Sequence, residues 1–161
     1  MSSNFYTLYI DPYSAIIIKI CRTYTNTQED FEDYYQEVCL QIWRSRANFK
    51  QQSEWSTWIY RISLNVCLTL FKKDKKNKTS VATLPIPTEI DEEPTYSDEA
   101  LNQLNRAIKQ LSEIDRAVIL LYLEGKAYKE IAEILSTNTN NIGVRIQRIK
   151  KRLKKILTNE R

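Results

Sequence analysis

Arg145, Arg148, Arg152 and Lys155 recur at steps of three, four and three, which on a helix lines four cations along one face. Such a row neutralises phosphates, and an arginine near the start of the same helix can also fork onto a purine edge in a major groove. Thr139, Asn140 and Asn141 stand just ahead of the row. With Arg145 they are placed for base edges, while Arg148, Lys151 and Arg152 are placed for the backbone. A solvated basic face is the plainer alternative. The segment Tyr128 to Leu135 tips the balance, because it reads as a short helix, carrying Tyr128 and Lys129 at its start, followed by a polar turn at Ser136 to Asn138. A long helix from about Asn140 to Leu157 completes a helix-turn-helix.

A second constellation is aromatic and polar: Phe49, Gln51, Gln52, Ser53, Trp55, Ser56, Trp58 and Arg61, with Asn65 one turn further on. Rings stack on unpaired bases, and amides and hydroxyls read the edges that pairing would otherwise hide. For Trp58 an ordinary place in a hydrophobic core is the favoured reading, while for Gln51 to Trp55 both readings stand at this point. A third group, Asp33, Gln36, Glu37 and Gln41, makes a polar helix face suited to docking a partner, as any amphipathic helix does.

Other chemistries lack their residues. Histidine is absent, and Cys21, Cys39 and Cys67 stand singly inside apolar patterns, so no metal site, no cofactor and no enzyme activity are expected. Buried free thiols are the expectation for all three. The apolar run Ala15 to Ile18 is too short to cross a membrane, so no membrane insertion is expected.

The elements that must carry these groups are helices. The chain has only 2 glycines and 4 prolines in 161 residues, too little punctuation for hairpins. An all-α chain of two small helical domains follows. A helix is expected around Tyr6 to Tyr24, broken at Asp11-Pro12. The next buries Tyr35, Val38, Cys39, Ile42 and Trp43; a third, capped by Ser53 or Ser56, buries Trp58, Ile59, Ile62, Val66 and Leu70. The mixture of lysines (Lys72, Lys73, Lys75, Lys76, Lys78), prolines and acids from Lys72 to Thr95 reads as a linker. Helices then cover Ala100 to Gln110 and, from a capping box at Ser112 to Asp115, the stretch to Leu123, which Gly125 stops. Boundaries are drawn at 1–73, 74–97 and 98–161. Charge supports them: residues 1–73 carry a net +1, residues 74–99 a net −4, and residues 100–161 a net +7. The basic third points to a polyanionic partner.

Four segments resemble, in order, the motifs of sigma factors of the extracytoplasmic-function group. Asp33, Gln36, Glu37 and Trp43 fit D-x-x-Q-E-x-F-x-x-x-W; Ser56 to Asn65 is similar to S-T-W-L-Y-R-I-A-x-N; Tyr128 to Leu135 is similar to Y-x-E-I-A-E-I-L; Arg145 and Arg148 fit R-L-x-R. The resemblance implies a region 2-like domain at 1–73, a flexible linker, and a region 4-like helix-turn-helix domain at 98–161. It implies that Asp33, Gln36, Glu37 and Gln41 dock on the clamp helices of the largest subunit of core RNA polymerase. Phe49, Gln51, Gln52, Ser53, Trp55, Ser56, Trp58, Arg61 and Asn65 would then capture the minus-ten element of promoter DNA. Tyr128, Lys129, Thr139, Asn140, Asn141, Arg145, Arg148, Lys151 and Arg152 would serve the minus-thirty-five element, with the domain near the polymerase's upstream flap. An anti-sigma factor, a cytoplasmic location and room for an auxiliary recruiter are implied as well. The chain departs from the pattern at Gly143, where a polar or basic residue is usual, and at Val144, where serine is common; Gly143 is expected to remove a DNA-contacting side chain. Trp55 and Cys39 each replace a phenylalanine. Two rivals are a helix-turn-helix regulator that acts without polymerase and a helical adaptor for an acidic protein.

Overall fold

The computed structural model describes residues 3–49, 54–80 and 99–159, and every regular element among them is a helix. Two compact units form, Met1–Glu93 and Pro94–Arg161.

The first unit opens with α1 (Ser3–Phe5), which widens into a π turn over Tyr6–Ile10 and tightens into a 3-10 turn over Asp11–Tyr13. Pro12 has no N–H for a helical ladder, so the break falls there as expected, and α2 (Ser14–Thr23) starts just after it. Thr27 caps α3 (Gln28–Ser45) by accepting the Asp30 N–H at 3.0 Å. Glu29 and Asp30 stand in its first turn, where the helix dipole favours them. α4 spans Trp55–Ser80. Helices α2, α3 and α4 pack pairwise around Ile17, Ile20, Val38, Ile42, Ile59 and Leu64, all 1% exposed or less.

Residues 72–80, read as the start of a linker, are helical instead, because α4 continues to Ser80. Two tertiary contacts hold that extension, the Tyr24 ring edge-on to Phe71 at 5.7 Å and the Tyr34 hydroxyl donating to Asp74 at 2.8 Å. Lys72, Lys73, Lys75 and Lys76 are exposed along it, where water screens their repulsion. The acidic stretch Glu89 to Pro94 lies outside the described residues.

The buried stripes are also rotated. α3 buries Phe31 and Tyr34 with Val38, Cys39 and Ile42, leaving Tyr35 and Trp43 half-buried. α4 buries Ile59, Tyr60, Ser63, Leu64 and Cys67, so Trp58, Ile62, Val66 and Leu70 are only half-buried. A helix packed between two neighbours buries a broader arc than one apolar stripe, and the polar members Tyr60 and Ser63 hid that arc in the sequence. Ser56 does not cap α4, which begins at Trp55 and so holds Ser56 inside its first turn.

The cysteines are free and buried, as expected. The Cys67 thiol faces Cys21 at 3.9 Å, and this contact with burial holds its pKa well above the ordinary thiol range; burial pushes Cys39 up to about 11. Cys39 and Cys67 therefore stay protonated near neutral pH, and all three side chains pack as small apolar groups.

In the second unit α5 (Glu99–Ile108), α6 (Glu113–Leu123) and α7 (Tyr128–Ile134) all pack on the long α8 (Thr139–Asn159). Ala117 to Leu121 are buried in succession, which marks α6 as the central helix. α6 ends at Gly125, whose φ of +83° lies in the left-handed region, with the Lys126 N–H returning to the Leu121 carbonyl at 3.1 Å. α7 ends in a similar way with Ser136 at φ +56° and the Thr137 N–H on the Ala132 carbonyl at 2.9 Å. That left-handed residue makes the tight turn between α7 and α8.

Candidate nucleic-acid interface

α8 separates its two faces cleanly. Ile142, Ile146, Ile149 and Leu153 are buried, Ile156 is half-buried, and this seam is the one the spacing gave. Lys129, Thr139, Asn140, Asn141, Arg148, Lys151 and Arg152 are exposed. Asn138, read as a plain turn residue, caps α8: its Oδ1 accepts the Asn141 N–H at 2.8 Å. The Asn141 side chain in turn donates to Thr137 at 3.2 Å. Asx before a periodic helix was the available signal.

Arg145 differs from the other cations. Its Nη1 donates to Asp115 Oδ1 at 2.8 Å, and Arg148 Nη2 lies 4.0 Å from the same oxygen. The Asp115 side chain is only 15% exposed, so this pair is partly sheltered. The capping box at Ser112 is thus half formed as read. Ser112 accepts the Asp115 N–H at 3.3 Å, while the Asp115 carboxylate is turned to Arg145 on α8. Sequence reasoning missed Asp115 as a partner of the cation row, since its 30-residue separation from Arg145 gives no local signal.

Gly143 lies beside α7. A Cβ there would meet the Tyr128 ring at 3.6 Å, an ordinary van der Waals contact, so the position faces α7 rather than open solvent. The glycine leaves the Tyr128 ring without that packing contact. Tyr128 itself is half-buried between this helix and Tyr122, 6.4 Å away ring to ring.

In the first unit the aromatic residues converge. Trp55 lies 5.0 Å from Phe49 and 4.8 Å from Trp58, and Phe49 lies 5.4 Å from Trp58. Phe5 and Tyr9 extend the cluster on the N-terminal side, and the Trp55 indole N–H donates to the Tyr9 carbonyl at 2.9 Å. Phe5 and Tyr9 were not anticipated, though their four-residue spacing on a helical segment was the signal. Trp58 is half-buried in this cluster, not fully in the core as expected for it. Ser56 and Arg61 are half-buried; Gln51, Gln52 and Ser53 lie outside the described residues.

On α3, Asp33 and Gln36 are exposed, while Glu37 accepts from Gln41 at 3.0 Å. These two edge a cleft of about 310 Å³ whose other wall is Ile62, Asn65, Val66 and Leu70. Asn65, expected with the aromatic group, is exposed on α4 and lines this cleft. A separate groove of about 570 Å³ in the second unit is lined by Leu104, Ile119, Leu123, Leu153 and Leu157, with Lys150 and Lys154 at its edge.

Among the described residues the protein is all-helical, and α7 and α8 form a helix-turn-helix with cations on its outward face. Residues 9–77 match the family model for sigma-70 region 2, and residues 101–153 match that for sigma-70 region 4. The chain belongs to the sigma-70 family, in its extracytoplasmic-function group. It is 26% identical to the ECF RNA polymerase sigma factor SigW of Bacillus subtilis, over 92% of this chain and 86% of SigW. It is 29% identical to the RNA polymerase sigma factor SigS of Staphylococcus aureus, over 81% of this chain and 84% of SigS. For SigG of Mycobacterium tuberculosis, 25% identical over 94% of this chain, it spans only 48% of the relative's length. Among solved structures, sigma factor RpoE in complex with anti-sigma factor NepR from Bartonella quintana is similar, with a TM-score of 0.74 at 20% identity, covering 91% of this chain and 92% of that one. CnrH in complex with the cytosolic domain of CnrY aligns with a TM-score of 0.71 at 16% identity, over 99% of this chain and 92% of that one. At such identities the likeness is one of fold.

Proposed function

We propose that this chain is the promoter-specificity subunit of a bacterial RNA polymerase, binding the core enzyme, recognising promoter DNA and helping to open it. The observation that carries this reading is the presence, in one chain, of two matched sigma-70 regions with different surfaces. One bears an apolar cleft edged by Glu37 and Gln41; the other bears outward cations on α8. A cleft floored by Ile62, Val66 and Leu70 suits a helical partner, with Asp33, Gln36, Glu37 and Gln41 setting its register; this is the docking face for the clamp helices. Phe49, Trp55 and Trp58, with Gln51, Gln52, Ser53, Ser56, Arg61 and Asn65, are the minus-ten group. Lys129, Thr139, Asn140, Asn141, Arg145, Arg148, Lys151 and Arg152 are the minus-thirty-five group, which Tyr128 supports from α7. The apolar groove beside Leu123 and Leu153 would take the flap element of the polymerase.

Such a subunit works in the cytoplasm, without catalysis of its own, and is held in check by an anti-sigma factor; two structural neighbours were solved as complexes of that kind or with a cytosolic domain. Among the described residues no helix is long and apolar enough to cross a membrane.

Run-off transcription tests the reading. Purified core polymerase with this chain should initiate at discrete sites in a genomic fragment library where core alone does not. The Gln36→Ala, Glu37→Ala double variant should compete poorly for core while keeping its helical content. Failure of the wild-type chain to associate with core, under conditions where a known sigma factor does, overturns it. Specific duplex binding by the chain alone would favour a polymerase-independent regulator instead.

A further inference from the structure

Val144 is the most exposed large apolar side chain among the described residues, at 69%, and it stands on the polar face of α8. Single exposed apolar residues are ordinary on protein surfaces, so position has to decide its meaning. Asn140 lies four residues before it; Gln147, Arg148 and Lys151 lie three, four and seven after it, and all four are exposed. That spacing puts Val144 in the middle of one helix face, opposite the buried Ile142, Ile146 and Ile149.

Its chain neighbours leave it prominent. Gly143 has no side chain and abuts Tyr128, and the Arg145 guanidinium is drawn to Asp115. Valine is branched at Cβ and holds essentially one rotamer on a helix, so its methyls are presented rigidly. Neither glycine nor valine favours a helix, which makes the pair a poor choice for a surface turn with no further role.

In a major groove thymine alone offers a methyl group; the other base edges offer donors and acceptors that an apolar side chain would strip of water without replacement. We propose that Val144 reads the 5-methyl group of a thymine in the upstream promoter element. This rests on the reading of α8 as a recognition helix, and its test separates the two.

The full chain with core polymerase is first used to select bound sequences from a pool randomised upstream of the minus-ten element. Each thymine of the selected element is then replaced by deoxyuridine, which removes the methyl and keeps pairing. Wild-type affinity should fall about fourfold at one thymine, the equivalent of one buried methyl-sized group. Val144→Ser, checked for an unchanged thermal melt, should bind the thymine and deoxyuridine templates equally. A selected element without thymine, indifference of the wild type to every methyl, or equal methyl sensitivity in Val144→Ser overturns the assignment while leaving the recognition helix standing. Absence of any selected upstream element overturns both.

Discussion

In the first unit the rings of Phe49, Trp55 and Trp58 lie 4.8–5.4 Å apart and the Trp55 indole holds the Tyr9 carbonyl, so the groups proposed to meet DNA also knit the unit together. In the second unit Arg148, Lys151 and Arg152 stand exposed on a helix whose opposite side, Ile142, Ile146 and Ile149, does the packing. The difference follows from chemistry. Trapping an unpaired base takes large flat apolar groups, which water expels and which therefore pack on one another when DNA is absent. Meeting phosphates takes hydrated cations, which stay in solvent and leave the core to aliphatic residues.

Breaking this comparison is easiest at its extremes. Trp55→Ala should destabilise the first unit by about 2 kcal/mol, below the ~3–5 kcal/mol of a fully buried aromatic because Trp55 is half-exposed. Trp55→Phe, which keeps a ring but loses the bond to Tyr9, should cost about 1 kcal/mol. Arg148→Ala should change stability by no more than about 0.5 kcal/mol, yet reduce the salt dependence of promoter binding by roughly one phosphate contact. Denaturant melts and binding isotherms at several salt concentrations measure both. Equal stability losses in the two units would remove the distinction.

A pH titration sharpens it. Burial, with the hydrogen bond to Asp74, raises the Tyr34 pKa, and burial with the hydrogen bond to Tyr6 raises that of Tyr35. Both hydroxyls must stay protonated in the folded unit. Their contribution is complete below the unfolded tyrosine value of about 10 and is lost as pH climbs from there towards the folded values. The first unit should therefore lose stability as pH rises above about 10, and Tyr35→Phe should flatten that part of the profile. An unchanged slope in Tyr35→Phe would show that its hydroxyl is not the titrating group.

The smallest expected effect is a gain. Gly143→Ala should stabilise the second unit by about 0.5–1 kcal/mol, because an alanine Cβ there meets only the Tyr128 ring at contact distance. Loss of stability would show that the ring cannot accommodate it.

The aliphatic seam of α8 was legible because Ile142, Ile146, Ile149 and Leu153 follow helical spacing and nothing polar interrupts them. The proposed site in the second unit was legible for the same reason, apart from Asp115, Asn138 and the true setting of Gly143. The first unit was less so. Tyr34, Tyr60 and Ser63 are buried although their side chains are polar, and the hydroxyl of Tyr34 is satisfied by Asp74, forty residues away. Spacing does not reveal a partner at that distance. The same bond and the Tyr24–Phe71 contact carry α4 past its lysines, where local composition argued for a linker.

Sequence by itself determined the helical class, the basic final helix, the motif order and the free buried thiols, because each depends on residue type or on near-neighbour periodicity. Tertiary structure decided which aromatic residues share a cluster, which arginine is bound to a carboxylate, and that α4 continues past Lys72. Those outcomes depend on side chains brought together across many residues, whose hydrogen bonds and burial outweigh the weak local preference at either end.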